Sequence, residues 1–145
     1  KAVREKLNLP IAIMLDTKGP EYRIGTFEQE KITLAAGDRF VFTTEDVQGD
    51  QNRVSVNYKD LVKNLSTGDR ILVNNGLVVL EVENLFEKEA VCKVITGGIL
   101  SNRKSMSFPN KVMSGPYLSE RDKQDLLFGI EQDVDFVAAS FLWSC

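Results

Sequence analysis

The sequence contains no histidine. That absence removes Ser-His and Cys-His nucleophile pairs within the chain, and zinc sites that need imidazole. Proton transfer by this chain would rest on carboxylates, lysine or water. Cysteine is scarce: two residues in 145, Cys92 and Cys145, without metal-ligand spacing. Cys92 alternates with apolar neighbours in Ala90-Val91-Cys92-Lys93-Val94, which predicts a packed strand thiol rather than a reactive one. Such usage fits a reducing, cytoplasmic compartment. No apolar run reaches membrane-spanning length and the opening residues do not read as a secretory signal, so no membrane partner is expected. Basic residues are outnumbered, 18 against 21 acidic, for a net charge of −3. That balance argues against broad nucleic-acid binding, and no nucleic-acid partner is expected.

What is present is more telling. The apolar run Ile11-Ala12-Ile13-Met14-Leu15 ends abruptly in Asp16-Thr17-Lys18-Gly19-Pro20-Glu21-Tyr22-Arg23. A run of that kind, apolar on both faces, predicts a strand buried in a parallel sheet, and the carboxyl ends of such strands are where α/β proteins keep their chemistry. Residues 1–9 read as the tail of a helix, with Val3 and Leu7 one turn apart and Asn8 and Pro10 at its end. Near the other terminus, Ser119 with Asp122 three residues on reads as a capped helix start. The segment from Glu120 to about Gln132 follows as a helix, with Leu126, Leu127 and Ile130 as its expected buried stripe. The stretch Val134–Phe141 reads as a second apolar strand.

Between these ends the sequence is β-rich. Lys31–Leu34 alternates, Gly37-Asp38 turns into Arg39–Thr43, and Val54-Ser55-Val56 is a short alternating piece. Arg70–Val73 and Leu77–Val82 flank Asn74-Asn75-Gly76, a strong hairpin signal. Ala90–Ile95 adds a strand before Gly97-Gly98, and Tyr58–Val62 reads as a short helical turn. The order is strand, β-rich block, helix, strand: one βαβ unit, right-handed by rule, with the block inserted in its βα connection. Such a connection opens on the catalytic face, so the block is expected to act as a cap or lid. A single βαβ unit cannot close a barrel or cover its own edges, which predicts that the chain is an excerpt of a longer protein.

Several stretches resemble the pyruvate kinase family: Leu15–Glu21 with Arg23, Val54–Leu61, Gly97-Gly98-Ile99-Leu100, Leu118–Leu126, and Phe128–Phe141. The resemblance implies a mainly β chain: a small β-barrel lid domain, residues 19–116, inserted in a βα connection of a (β/α)8 barrel. Residues 1–18 and 117–145 would be a βαβ part of that barrel. It implies transfer of a phosphoryl group from phosphoenolpyruvate to ADP, giving pyruvate and ATP, by a parent that is a homotetramer. It implies K+, with Asp16 and Thr17 as protein ligands, and Mg2+, whose ligands lie outside this chain together with the catalytic lysine. Arg23 and Lys104 are implied as nucleotide-phosphate contacts. Phosphoryl transfer depends mainly on positioning and on neutralising spread negative charge, which suits these residue types.

The chain departs from the family pattern in its turns. Asn74-Asn75-Gly76 stands where the family usually shows Asp-Asp-Gly. Arg103-Lys104-Ser105 stands where it usually reads Lys-Lys-Gly, and Phe141-Leu142-Trp143 lacks an arginine common after the Phe. Family members that need no potassium differ at the position of Glu21, where a lysine can stand in for the ion. Two alternatives remain at this level: a non-catalytic β-barrel binding module in which Phe40, Phe42, Tyr58 and Phe108 stack on a ligand, and a degenerate family member.

Overall fold

Alternating apolar residues build the central part of the chain. The computed structural model describes residues 1–111 and 118–140. In chain order the elements are α1 (Ala2–Leu7), β1 (Met14–Asp16), β2 (Tyr22–Arg23), β3 (Lys31–Leu34), β4 (Arg39–Thr43), β5 (Arg53–Ser55) and α2 (Leu61–Asn64). Then come β6 (Arg70–Val73), β7 (Val78–Leu85), β8 (Glu89–Thr96), β9 (Gly98–Ser101), β10 (Ser105–Ser107), α3 (Glu120–Glu131) and β11 (Phe136–Ala138). They fall into two units, Glu21–Ser114 and the pair of flanking segments Lys1–Pro20 and Gly115–Cys145.

In the central unit, seven strands form one sheet in the order β2-β10-β6-β7-β8-β4-β5, beside a two-stranded β3-β9 ladder. The sheet curls until its edge strands meet. Gly25 N donates to Ser55 O at 2.7 Å, Asn57 N donates to Arg23 O at 3.0 Å, and Ile24 bridges Val56. Closing the sheet satisfies the edge groups that an open sheet would leave unpaired. The inward positions recur every second residue, as the strand period requires. Phe40 and Phe42 on β4, Ile71 and Val73 on β6, Val78 and Leu80 on β7, and Ala90 and Cys92 on β8 are all fully buried. The rings of Phe40 and Phe42 meet edge to face at 5.5 Å. Burial pushes the Cys92 thiol up to about 12, with Glu83 adding to the shift, so it is an inert core group as its pattern predicts. Cys145 lies outside the described residues.

The Asn74-Asn75-Gly76 turn joins β6 to β7 as an antiparallel hairpin, with φ of 55°, 57° and 83° at its three residues. Asparagine and glycine are the residues that take this left-handed backbone most readily. The helical turn expected over Tyr58–Val62 sits slightly later, at Leu61–Asn64. Three short strands, β2, β9 and β10, carry too little alternation to be read from sequence.

The flanking unit is a βαβ step. β1 and β11 pair in parallel with Leu15 opposite Val137, and α3 lies between them in sequence. Ser119 caps α3 with a complete capping box to Asp122. Arg4 of α1 reaches Asp135 at 2.6 Å and Ile11 O at 2.9 Å. Two expectations are corrected here. The first strand is Met14–Asp16 rather than the whole run from Ile11, and Ile11 and Met14 are exposed at 53 % and 63 %. The stripe on α3 is not buried either: Leu127 is 62 % and Ile130 74 % exposed. The helix instead meets β1 through Gly129, where an added Cβ would lie 2.8 Å from Leu15 Cδ2. A two-stranded sheet offers the helix one narrow contact, so apolar residues on its other sides have little among the described residues of the unit to pack against.

Candidate functional site

Parallel pairing puts the carboxyl ends of β1 and β11 side by side, and polar residues collect there. Thr17 N donates to Ala138 O at 3.0 Å, extending the ladder one residue past the strand. Thr17 is 5 % exposed. Its hydroxyl donates to Ala138 O at 3.3 Å and accepts from Ser140 N at 3.2 Å. A hydroxyl has one proton and two lone pairs, so this arrangement leaves Thr17 Oγ1 one acceptor site. Asp16, next to it, is exposed, and its Oδ1 accepts the Ser140 hydroxyl at 2.6 Å. Asp16, Thr17 and Ser140 thus form one cluster of oxygens.

Asp122 ties the following residues down. Its carboxylate accepts the Ser119 hydroxyl at 2.6 Å, Ser119 N at 3.1 Å and Gly19 N at 3.3 Å. The Ser119 hydroxyl, against the opposing effect of burial, holds this carboxyl below the usual carboxylate range, with the backbone amides of Ser119, Gly19 and Lys18 adding to it. The cap of α3 is therefore also an anchor for the chain leaving Asp16 and Thr17.

A second cluster lies within the barrel unit. β2 and β10 are antiparallel with Arg23 opposite Ser105, one residue from Lys104 on the paired segment. Ile24 N donates to Lys104 O at 3.0 Å. The Arg23 guanidinium donates to Glu21 Oε1 at 2.5 Å and to Arg103 O at 2.5 Å, which fixes its direction. The structure thus gathers Asp16, Thr17 and Ser140 in the flanking unit, and in the barrel unit ties Arg23 to the neighbours of Lys104, Arg103 and Ser105.

Sequence reasoning missed Ser140 and the second role of Asp122. Ser140 was hidden in a run read only as strand. The available signal was a hydroxyl at the carboxyl end of a strand, the position Asp16 occupies on its neighbour. Glu21 also gains a role, as the ion-pair partner of Arg23. Among the described residues no group of three or more His, Cys, Asp or Glu could hold a metal ion, and no helix is long and apolar enough to cross a membrane. The ligand-stacking alternative loses its aromatics to packing. Phe40 and Phe42 are fully buried, Phe108 is 8 % exposed, and the Tyr22 ring lies 4.7 Å from Tyr58 and 5.5 Å from Phe108.

The sequence matches the family model described as pyruvate kinase, barrel domain, over residues 1–145. Over 98 % of its length it is 42 % identical to a pyruvate kinase of Clostridium acetobutylicum and 44 % identical to one of Bacillus licheniformis. A pyruvate kinase of Clostridium perfringens is 38 % identical over the same share. The chain spans 30 % of the first and third of these relatives and 25 % of the second.

Proposed function

The chain belongs to the pyruvate kinase family, and from that premise we propose that it serves a phosphotransferase moving a phosphoryl group from phosphoenolpyruvate to ADP. In this reading residues 19–116 are the inserted barrel domain, and residues 1–18 and 117–145 are one step of the catalytic barrel. The exposed apolar surface of the flanking unit, including Leu127, Ile130 and Phe136, is where further strands and helices of that barrel would pack. The parent is a cytoplasmic homotetramer, and its Mg2+ ligands and catalytic lysine come from sequence beyond these residues.

The observation that supports the reading is the β2–β10 pairing, which joins the segment carrying Arg23 to Ser105, the residue after Lys104. Two cations on paired backbone segments would suit the phosphates of a nucleotide, because charge placed in advance needs little reorganisation during transfer. Asp16 and Thr17 fit a potassium ion by their donors: an exposed carboxylate and a hydroxyl oxygen with an acceptor site left. Hard cations prefer such oxygens. A bound potassium would supply positive charge to the phosphate region.

The test is kinetic, in a polypeptide as long as the relatives. Arg23→Ala and Lys104→Ala should each raise KM for ADP by about tenfold, the loss of a charge-assisted contact, and unchanged KM values would overturn the nucleotide role. Replacing potassium with a large organic cation should abolish activity, and Glu21→Lys should lessen the dependence. Full activity without potassium would refute the roles of Asp16 and Thr17. The 145-residue chain alone should make no ATP.

A further inference from the structure

Two of the positions at which this chain departs from the family's turns touch each other. The Ser105 hydroxyl donates to Asn75 Oδ1 at 3.2 Å, and beside it Asn74 N donates to Ser105 O at 2.9 Å. On the opposite flank, Ile24 N donates to Lys104 O at 3.0 Å and Arg103 N to Gly25 O at 2.9 Å. Residues 103–105 are therefore held between β2 on one side and the β6–β7 turn on the other. Lys104 is the central residue of the clamped segment. The turn meets the segment at two points, Asn74 N and Asn75 Oδ1.

We propose that the Asn75–Ser105 hydrogen bond is a latch that positions Lys104 for the nucleotide phosphates. Asn75 and Ser105 are thus positioning residues for ADP. This rests on the reading that Lys104 contacts the nucleotide. The neutrality of the pair matters as much as its geometry. A carboxylate at position 75 would accept the same hydroxyl more strongly, but it would set a negative charge beside the segment that meets a polyanion. An amide holds the hydroxyl without that charge. Glycine at position 105 would leave the turn tied to β10 only through the backbone.

The experiment compares Ser105→Ala, Ser105→Thr, Asn75→Asp and Lys104→Ala in the full-length enzyme, with KM for ADP, KM for phosphoenolpyruvate, kcat and Tm read for each. Ser105→Ala should raise KM for ADP about threefold, the scale of one exposed neutral hydrogen bond, and leave kcat and KM for phosphoenolpyruvate unchanged. Ser105→Thr keeps the hydroxyl and should restore the original KM. Asn75→Asp should raise KM for ADP at low salt, with the effect fading as salt screens the added charge. A Ser105→Ala enzyme that loses Tm and moves both KM values together would overturn the latch in favour of a purely structural bond. If Ser105→Ala leaves KM for ADP unchanged while Lys104→Ala raises it, the latch is wrong and the nucleotide role of Lys104 stands. If Lys104→Ala also leaves it unchanged, both fall. An Asn75→Asp enzyme with the original KM at low salt overturns the charge argument.

Discussion

The barrel unit and the flanking unit spend their apolar residues differently. Among the described residues, every fully buried large side chain belongs to the barrel, from Ile24 through Leu100. In the flanking unit, the buried positions among the described residues are Thr17, Asp122 and Gly129: a hydroxyl, a carboxylate and a bare backbone. Its large apolar residues Met14, Leu127, Phe128, Ile130 and Phe136 are more than half exposed. The barrel is thus organised by burial, a non-directional effect proportional to area. The flanking unit is organised by hydrogen bonds that fix the ends of two strands. One region supplies a rigid mount, and the other places polar groups in a defined cluster.

The widest test of that difference is truncation of one aromatic in each unit. Phe40→Ala should destabilise the barrel by about 3–5 kcal/mol, because a fully buried ring leaves a cavity. Phe128→Ala, at 59 % exposure, should change the stability of the 145-residue chain by no more than about 0.5 kcal/mol. Urea unfolding followed by circular dichroism measures both. Equal costs would break the comparison.

A second test asks whether the polar cluster acts as a unit. Ser140 supplies a hydroxyl to Asp16 and an amide to Thr17. If Asp16 and Thr17 hold potassium as proposed, Ser140→Ala in the full-length protein should raise the potassium concentration for half-activation about tenfold, the usual scale for losing a group that orients a metal ligand. KM for ADP should stay put, because the proposed nucleotide contacts, Arg23 and Lys104, belong to the other unit. A potassium titration at saturating substrates decides it, and a thallium-binding measurement separates ion affinity from turnover. A shift in KM for ADP of the same size would merge the two clusters into one.

The sequence revealed the barrel better than it revealed the flanks, for a physical reason. Period-2 alternation in Arg39–Thr43, Arg70–Val73 and Ala90–Ile95 records a one-sided core, and the Asn74-Asn75-Gly76 turn records backbone chirality. Both are local signals. The strand pairing β2–β10 is not local: Tyr22–Arg23 and Ser105–Ser107 are too short to carry a period, and their register depends on the closure of the whole sheet. The run Ile11–Leu15 extends beyond the strand Met14–Asp16, since apolar character says what a residue would gain by burial and not whether a partner is within reach. Asp16 and Thr17 stood out as the abrupt end of that run. Ser140 did not, because its role exists only once β1 and β11 lie side by side. The departures at Phe141-Leu142-Trp143 lie outside the described residues.

The smallest effect concerns Asp122, where the two organising principles meet in one buried carboxylate. The Ser119 hydroxyl lowers its pKa despite burial, and three backbone amides add to the effect. A carboxyl lowered in the folded state stabilises that state fully above its ordinary value of 3.8, and the contribution disappears as pH falls through the lowered value. Stability that depends on α3 should therefore be level near neutrality and decline below about pH 4. Asp122→Asn keeps the shape but removes the charge at the helix N-terminus, where negative charge is favoured. It should cost about 1 kcal/mol at pH 7, the difference between a charged and a neutral acceptor, and nothing further in acid, so variant and parent converge there. The barrel has its own lowered carboxyl, Asp69, where the Lys111 side chain and Ser66 N–H prevail over burial, so acid alone does not tell the units apart. The substitution does, because α3, at 12 residues, is the longest helix among those described and dominates the helical signal. A cost for Asp122→Asn that is the same at pH 7 and pH 3 would assign the effect to lost packing, and the flanking unit would then be held as the barrel is.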